Sequence, residues 1–237
     1  EVYYNNLEEL LRTNSNVFVS LMHVNNEIGN LLDIKRVADL CKTNKALFHS
    51  DTVQSVGHYP IDLSENPIDF FAASAHKFHG PKGVGFCFIR KNSGLQPLIF
   101  GGEQERGYRA GTESVHNIAG LAEALKLAYN NLDAERSYVK HLKSYFIKQL
   151  KTEIPNVSFN GNSGDLEKST FQVDLKGIAC SKGSACQSGS SQNSHVLSEI
   201  LSGDDLQKPS IRFSFSIYNT QDEVDYVVKT LKDLVAH

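Results

Sequence analysis

Short apolar runs rich in β-branched residues alternate with segments of helical periodicity along the first half of the chain. Residues 16–24 form a nearly continuous apolar run, which is typical of a strand covered on both faces. Asp33 can cap a helix that extends to about Asn44, and a short strand follows at 46–49. This strand-helix-strand order predicts a parallel sheet. Two further strands are predicted at 68–73 and 85–90.

From Thr112 onward the apolar period becomes that of helices. Two stripes predict two helices or one long bent helix: Ile118, Leu121, Ala122, Leu125, Ala128 and Tyr129, then Val139, Leu142, Phe146 and Leu150. The polar, glycine-containing stretch 160–168 is predicted to be a loop or hinge. A last helix opens with the capping-box sequence Thr220-Gln221-Asp222-Glu223. Its expected buried positions are Val224, Val227, Val228, Leu231, Leu234 and Val235.

This change of period predicts two domains. Residues 1–130 are expected to form a larger domain around a parallel-rich sheet, and residues 131–237 a smaller α/β domain. In open α/β sheets, ligands bind beyond the carboxyl ends of the strands. Asn26, Asp51 and Lys77 each follow a predicted strand, so we expect them to line one crevice.

Composition narrows the classes of function. A chain of 237 residues can bury a core in one large or two small domains. The formal net charge of -3 offers no basic field, which argues against nucleic acid as a partner. No apolar run of ~18 residues occurs, and the N-terminus lacks a charged-then-apolar signal pattern. We therefore expect a soluble, cytoplasmic protein without a membrane partner.

The cysteines and histidines suggest neither disulfides nor a metal. Cys41, Cys87, Cys180 and Cys186 form no CxxC pair, and a chain of this length does not need disulfides, so reduced thiols are expected. Cys41 and Cys87 fall on helix and strand patterns and are expected in the core. Five histidines lack the spacing of metal ligands, so no metal site is expected: His23, His49, His79, His116 and His195.

Lys77 lies in the stretch Ser74-Ala75-His76-Lys77-Phe78-His79-Gly80-Pro81-Lys82-Gly83, between two predicted strands. Pyridoxal phosphate (PLP) needs an amine that forms a Schiff base, a carboxylate for its ring nitrogen, and hydroxyl or imidazole groups for its phosphate. Lys77 can supply the amine and Asp51 the carboxylate. Ser74 and His76 can supply the phosphate contacts. The alternative is that Lys77 is a solvated turn residue beside Gly and Pro.

Cys186 lies among small polar residues at 181–191, with no apolar periodicity. Glycine and serine leave such a backbone loose, which predicts a thiol on a mobile loop. Lys182 or His195 could raise the small thiolate fraction that a free cysteine has at neutral pH. The loop thiol is therefore a candidate nucleophile, and the alternative is an incidental exposed cysteine.

Taken together, the motifs resemble those of the cysteine desulfurases (NifS/IscS-like), PLP enzymes of the class-V aminotransferase group. The matching words occur in the family's order: His23-Val24-Asn25-Asn26-Glu27-Ile28-Gly29, His49-Ser50-Asp51-Thr52-Val53-Gln54-Ser55, Ser74-Ala75-His76-Lys77, Gly101-Gly102-Glu103-Gln104-Glu105-Arg106-Gly107, Arg109-Ala110-Gly111-Thr112, Gly183-Ser184-Ala185-Cys186 and Ser210-Ile211-Arg212-Phe213-Ser214. The resemblance implies the α/β fold of fold-type I PLP-dependent transferases, which is aspartate aminotransferase-like. It also implies that the larger domain is N-terminally incomplete.

The resemblance assigns the cofactor contacts. It implies that Lys77 is the Schiff-base lysine, that His76 and Ser74 lie near the cofactor phosphate or imine, and that Asp51 faces the pyridine nitrogen. An aspartate there favours the protonated ring, which stores electrons better. Gln54 is implied as a partner of the ring hydroxyl, with a polar residue at a helix start as the alternative.

Three further residues are implied to contact the substrate or the phosphate. Asn26 is implied to contact the ring hydroxyl and the substrate carboxylate, although Asn25-Asn26 could merely form a turn. Arg212 is implied to clamp the substrate carboxylate, and strand alternation places Arg212 and Ser214 on one face. A surface ion pair is the alternative for Arg212. Thr112 is implied to reach the phosphate of a neighbouring subunit, or else it caps the following helix.

The implied reaction converts L-cysteine to L-alanine and leaves a persulfide on Cys186, with Lys77 as the general base. The implied partners are a second copy in a homodimer and a sulfur acceptor, either an iron-sulfur scaffold or a tRNA-thiolation protein. Two alternatives remain open. One is another class-V lyase or aminotransferase, such as a selenocysteine lyase. The other is an incomplete fragment, because relatives carry further residues before the first word and between Thr170 and Phe171.

Overall fold

The computed structural model describes residues 3–170, 172–176, 194–207 and 210–235. The chain divides into two compact units. The four-stranded unit comprises Val2–His23 and Asp33–Leu132. The three-stranded unit comprises Glu1, Val24–Leu32 and Asp133–His237. The segment Val24–Leu32 therefore belongs to the same unit as the C-terminal half of the chain. The predicted division into 1–130 and 131–237 did not include this discontinuity, and that division stays a prediction.

The sheet of the four-stranded unit has the order β1-β2-β3-β4. Its strands are β1 (Phe18–Met22), β2 (Leu47–Asp51), β3 (Phe70–Ser74) and β4 (Gly85–Ile89). The first three strands are parallel, as predicted, whereas β4 runs antiparallel to β3. The connection from 75 to 84 is one tight turn and a loop, too short for the crossover helix that a parallel strand requires.

Helices cover this sheet with apolar faces. The helices are α1 (Tyr4–Thr13), α2 (Ile34–Thr43) and α3 (Val115–Asn130), with 3-10 turns at Ala75–Phe78 and Gln104–Gly107. Asp33 caps α2 as predicted, because its carboxylate accepts a hydrogen bond from the Arg36 amide at 3.0 Å. On α3 only Leu121 and Ala128 are buried. The predicted core positions Ile118 and Tyr129 are exposed.

The three-stranded unit is an antiparallel sheet of order β5-β6-β7 with helices packed against it. Its strands are β5 (Ser158–Phe159), β6 (Gln172–Lys176) and β7 (Ser210–Ser214). Its helices are α4 (Leu132–Glu153), α5 (His195–Ile200), α6 (Asp204–Gln207) and α7 (Gln221–Val235). The helical stripes of 112–150 thus belong to two helices, α3 and α4.

The core of the three-stranded unit lies between α4 and α7. Its buried cluster is Leu142, Phe146, Ile147, Leu150, Ile154, Val224, Val228 and Leu231. Ile211 and Phe213 of β7 pack against this cluster, which agrees with the predicted alternation along the strand. Thr220 and Glu223 form the predicted capping box at α7. Leu234 and Val235, expected to be buried, are exposed.

The segment Val24–Leu32 is joined to the three-stranded unit by backbone hydrogen bonds. The Leu31 amide donates to the Lys168 carbonyl at 3.0 Å, and the Thr170 amide donates to the Gly29 carbonyl at 2.8 Å. The Asn30 side chain also accepts a hydrogen bond from the Asn162 amide at 2.7 Å. These bonds fix the loop that carries Asn26 to the stretch that precedes β6.

Candidate active site

The carboxyl ends of β1, β2 and β3 meet at one edge of the four-stranded sheet. In the strand register, Asp51 at the end of β2 is paired with Met22 of β1 and with Ala72 of β3. Ser74 ends β3 two residues beyond Ala72. Asp51 and Ser74 therefore lie at the same edge, which is where open α/β sheets bind ligands.

Lys77 lies on the 3-10 turn that directly follows β3. The turn is anchored because Ala75 and Phe78 are buried, whereas His76 is exposed and Lys77 partly exposed. His79 ends the turn with φ 65°, and the Gly80 amide donates to the Ala75 carbonyl at 2.8 Å. Within the described part of the chain, the Lys77 ammonium makes no hydrogen bond or ion pair. The amine is thus presented on a rigid turn and has no protein partner there.

Asp51 is fixed by its own backbone. Its carbonyl accepts a hydrogen bond from the His23 amide at 2.9 Å, and its Oδ1 accepts one from the Val53 amide at 2.9 Å. The carboxylate is partly exposed, and among the described residues Oδ2 has no hydrogen-bond donor. Gln54 follows in the next turn and is also partly exposed. The edge therefore offers an acceptor for an N–H group at a fixed place.

His23, to which the sequence analysis assigned no role at the site, is a buried neutral base at this edge. Its side chain is 5% exposed, and its ring lies 5.9 Å from the ring of Tyr59. Burial lowers the pKa of His23 to about 4, since a charged imidazolium would lose its hydration. Nδ1 has no hydrogen-bond partner among the described residues. Nothing in the hydrophobic pattern marks this residue, because a strand-end histidine is as often exposed.

The structure brings Asn26 and Arg212 together within the three-stranded unit. Arg212 of β7 donates from its guanidinium to the Asn26 carbonyl at 2.6 Å. The neighbouring Asn25 builds the turn, since its Oδ1 accepts hydrogen bonds from the amides of Glu27 at 2.9 Å and Ile28 at 3.1 Å. Arg212 is partly buried and enters no ion pair with the described residues, unlike the surface-pair alternative. Among the described residues, the other donors of Arg212 have no hydrogen-bond partner.

Glu27 is a buried carboxylate that sequence reasoning did not single out. It is bonded to the Ser194 hydroxyl, and its Oε1 lies 3.8 Å from Nδ1 of His195. Ser194 in turn caps α5 by accepting a hydrogen bond from the Leu197 amide at 3.1 Å. The Asn26 turn is therefore linked to the start of α5, directly after residues 177–193.

The remaining predicted residues are less connected. Thr112 is exposed, and the residue that caps α3 by position is Ser114, so the capping alternative for Thr112 is wrong. Arg109 holds this loop through Glu113 at 2.9 Å. Cys180, Lys182 and the candidate nucleophile Cys186 lie outside the described residues.

The two described cysteines differ. Cys41 is buried as expected, and burial raises the pKa of its thiol to about 11. Cys87 was expected in the core but is exposed on β4, which has only β3 beside it among the described strands. Across the described ranges, no group of three or more His, Cys, Asp or Glu side chains is arranged to hold a metal ion. No described helix is both long and apolar enough to cross a membrane.

The sequence profile of the family described as Aminotransferase class-V matches residues 1–227. The chain belongs to the class-V aminotransferase family. The chain is 38% identical over 243 residues to a protein named cysteine desulfurase IscS from Dictyoglomus turgidum, covering 97% of this chain and 61% of that protein. It is 39% identical over 236 residues to a protein of the same name from Haemophilus influenzae, covering 92% and 57%.

Solved structures agree with this family assignment. A NifS-like protein from Rickettsia africae superposes with a TM-score of 0.86 at 29% identity, covering 100% of this chain and 67% of that one. A second structure titled NifS-like protein gives a TM-score of 0.83 at 34% identity, covering 97% and 64%. The expected resemblance and the α/β fold of PLP-dependent enzymes are thereby confirmed. The chain spans about 60% of the length of the curated relatives it matches.

Proposed function

We propose that this chain carries the lysine, the ring-nitrogen acid and the carboxylate clamp of a cysteine desulfurase that acts on L-cysteine with PLP as its cofactor. The observation that carries the proposal is the position of Lys77. It lies on a tight turn at the same edge of the sheet as Asp51, which ends β2. Names of relatives support the same reaction, since several that are 38% identical are cysteine desulfurases.

The side chains at this edge suit PLP by their chemistry. Within the described ranges Lys77 offers an amine without a partner, and Asp51 offers a carboxylate oxygen for the ring nitrogen. Ser74 and His76 precede the lysine in the sequence. They offer a hydroxyl and an imidazole, which are groups that bind phosphate. Gln54 supports a contact to the ring hydroxyl. When bound, PLP would withdraw electrons from the substrate carbon atoms and so stabilise carbanions there.

Arg212 and Asn26 supply the substrate contacts in this proposal. Arg212 already uses one N–H group on the Asn26 carbonyl, which holds the guanidinium plane in a fixed direction. Its other donors can bind the carboxylate of an amino acid through two parallel hydrogen bonds. The Asn26 amide lies on the turn that this bond fixes, so both groups would meet the same substrate end.

Lys77 and Cys186 carry the chemical steps. Lys77 Nζ removes the proton from the substrate Cα and returns a proton to carbon later, as a general base and then a general acid. The Cys186 thiolate forms a bond to the substrate sulfur while the bond from that sulfur to Cβ breaks. The electron pair of the broken bond stays with carbon, which takes up a proton. The products are L-alanine and a persulfide on Cys186.

Partners follow from this chemistry. A persulfide must pass its outer sulfur to a thiol or scaffold, so an iron-sulfur scaffold or a tRNA-thiolation protein is the proposed acceptor. A homodimer is proposed through the region before Thr112, where Leu98 and Phe100 are largely exposed. A selenocysteine lyase shares the lysine site. The cysteine at 186, set among small polar residues as a candidate nucleophile, supports the desulfurase.

The decisive experiment follows cofactor attachment and product formation. PLP is added to the parent chain, to Lys77→Ala and to Lys82→Ala, a matched control five residues away in the same loop. We expect a yellow, borohydride-reducible adduct on Lys77 in the parent and the control, and none in Lys77→Ala. Cys186→Ala should keep the adduct and lose sulfide release from L-cysteine. A parent chain that stays colourless, or a Cys186→Ala variant with parental sulfide release, contradicts the proposal.

A further inference from the structure

His58 contacts the backbone of the lysine turn. Its Nε2 lies 2.8 Å from the Lys77 carbonyl oxygen, and His58 is partly buried. The carbonyl lies at the end of a 3-10 turn, where carbonyl groups lack partners within the helix. No backbone amide of the described residues donates to it. The imidazole thus gives the Lys77 carbonyl a hydrogen-bond partner that no described backbone amide supplies.

The loop that bears His58 is pressed against the turn. Gly57 has φ +80°, and a Cβ there would lie 2.7 Å from the Phe78 Cβ and 3.3 Å from the Ala128 Cβ. Only glycine fits this place, both for its backbone angle and for its space. The side chain next in sequence is therefore held at a fixed distance from the turn.

The same loop begins at Asp51. Thr52 bonds the Ala72 carbonyl through its hydroxyl at 2.8 Å, which pins the start of the loop to β3. The amides of His58 and Tyr59 both donate to the Ser55 carbonyl at 2.9 Å, so the loop is wound into consecutive turns. One short, internally bonded loop thus carries the acid proposed for the ring nitrogen at one end and the histidine that touches Lys77 at the other.

We propose that His58 is a positioning residue that fixes Lys77 relative to Asp51, so that a single cofactor ring can meet both groups. This inference rests on the proposed role of Lys77. Lysine has a long side chain, and fixing its main chain narrows the space that Nζ explores. The bond needs only an Nε2–H donor. Burial lowers the pKa of His58, and the charge of the neighbouring His79 lowers it further.

The test compares His58→Leu, which removes the donor, with His58→Gln, whose amide can still donate. His49→Leu serves as the matched control, because His49 bonds Ser20 and not the lysine turn. The measured quantities are the rate at which added PLP forms its absorbing adduct on Lys77 and the pH midpoint of that absorbance. Losing one such hydrogen bond should slow the attachment roughly three- to tenfold in His58→Leu. His58→Gln and His49→Leu should stay within about twofold of the parent.

Two outcomes overturn the inference. One is a parental rate and pH midpoint in His58→Leu. The other is equal impairment of His58→Leu and His58→Gln, together with equally lowered melting temperatures, which indicates packing alone. A second readout needs no cofactor: amide hydrogen exchange at 77–80 should quicken in His58→Leu only. If the parent forms no adduct on Lys77, the proposed function fails, whereas unchanged exchange at 77–80 refutes the His58 contact itself.

Discussion

Lys77 in the four-stranded unit and Asn26 in the three-stranded unit both lie on short turns, but different forces hold the two turns. The Lys77 turn is fixed by the buried Phe78 and by neutral hydrogen bonds to its backbone. The Asn26 turn is fixed by two charged side chains, the guanidinium of Arg212 and the carboxylate of Glu27. The first turn should therefore respond to lost volume, and the second to lost charge.

Each unit also buries one basic side chain, and the two side chains titrate in different pH ranges. The four-stranded unit contains His23, whose pKa burial lowers to about 4. The three-stranded unit contains Lys143, which is 2% exposed and whose pKa burial lowers to about 8. Each group disfavours its charged form in the folded state. Stability should consequently depend on acid pH through one unit and on alkaline pH through the other.

The largest expected effect comes from emptying either core. Phe78→Ala and Phe146→Ala each remove a ring that is 1% exposed, and such truncations cost about 3–5 kcal/mol of the free energy of unfolding. Phe78→Ala should also slow PLP attachment to Lys77, because Phe78 anchors that turn. Denaturant unfolding followed by circular dichroism measures the first effect, and adduct absorbance the second.

Tyr226→Ala on α7 is the control, since Tyr226 is 72% exposed and its loss should change stability by less than about 0.5 kcal/mol. If Phe146→Ala slowed adduct formation as much as Phe78→Ala does, the lysine turn would not be anchored as described.

The next largest effect is the dependence of stability on alkaline pH, which arises from Lys143. Below pH 8 Lys143 is protonated in both the folded and the unfolded state, so its contribution to the free energy of unfolding does not change with pH. Between about 8 and 10.5 the folded state has lost the proton that the unfolded state still holds, and the free energy of unfolding rises with pH. The rise is on the order of 3 kcal/mol. Lys143→Met should flatten it relative to the parent, and chemical denaturation at pH 7.5, 9 and 10.5 tests this. Parallel curves for the two proteins would contradict the lowered pKa.

A comparable effect is expected on the acid side. Between pH 6.5 and about 4 the unfolded His23 binds a proton that the folded one does not, so stability falls as the pH falls. His23→Gln should remove a slope on the order of 3 kcal/mol over this window. Urea titrations at pH 7, 5.5 and 4.5 measure it. An NMR titration that gave His23 an ordinary midpoint would refute the assignment.

The smallest effect concerns the charged turn. Arg212→Lys removes the bond to the Asn26 carbonyl, and a hydrogen bond from a charged group contributes about 1.5–3 kcal/mol. We expect the KM for L-cysteine to rise roughly ten- to a hundredfold, with PLP attachment to Lys77 unchanged. Arg12→Lys on the exposed end of α1 is the matched control. A variant that attached PLP to Lys77 more slowly but kept the parental KM would reverse the assigned roles of the two turns.

Local signals in the sequence were sufficient for α2, α3, α4 and α7 and for the order of β1 to β4, whereas α1, α5, α6, β5 and β6 were not predicted. Asp33 and the apolar spacing after it predicted α2, and Thr220 with Glu223 predicted the start of α7. The placement of Asp51 and Lys77 at strand ends followed from the alternation of strands and helices. These features depend on neighbours a few residues apart, which periodicity reports directly.

Contacts between distant residues could not be predicted in this way. His58 meets the carbonyl of a residue 19 positions away, and Glu27 meets Ser194 at a separation of 167. Neither contact leaves a periodic trace. The apolar run at 16–24 was predicted as one strand, but β1 covers only Phe18–Met22 and Val24 belongs to the three-stranded unit. Hydrophobicity indicates that a residue is buried but not which part of the chain buries it. Cys87 likewise looked buried because the pattern cannot tell an edge strand from a central one.

The grouping of Val24–Leu32 with the C-terminal half of the chain has a consequence for the evolution of the gene. The residues on either side of it belong to the four-stranded unit, while its own backbone partners are Lys168 and Thr170. A gene fusion or shuffling event that replaced the chain after residue 132 would leave the original Val24–Leu32 in place. This segment would then have to pack against a C-terminal half of different origin. Asn26 and Arg212 would then come from different ancestors, so these two stretches should be inherited together.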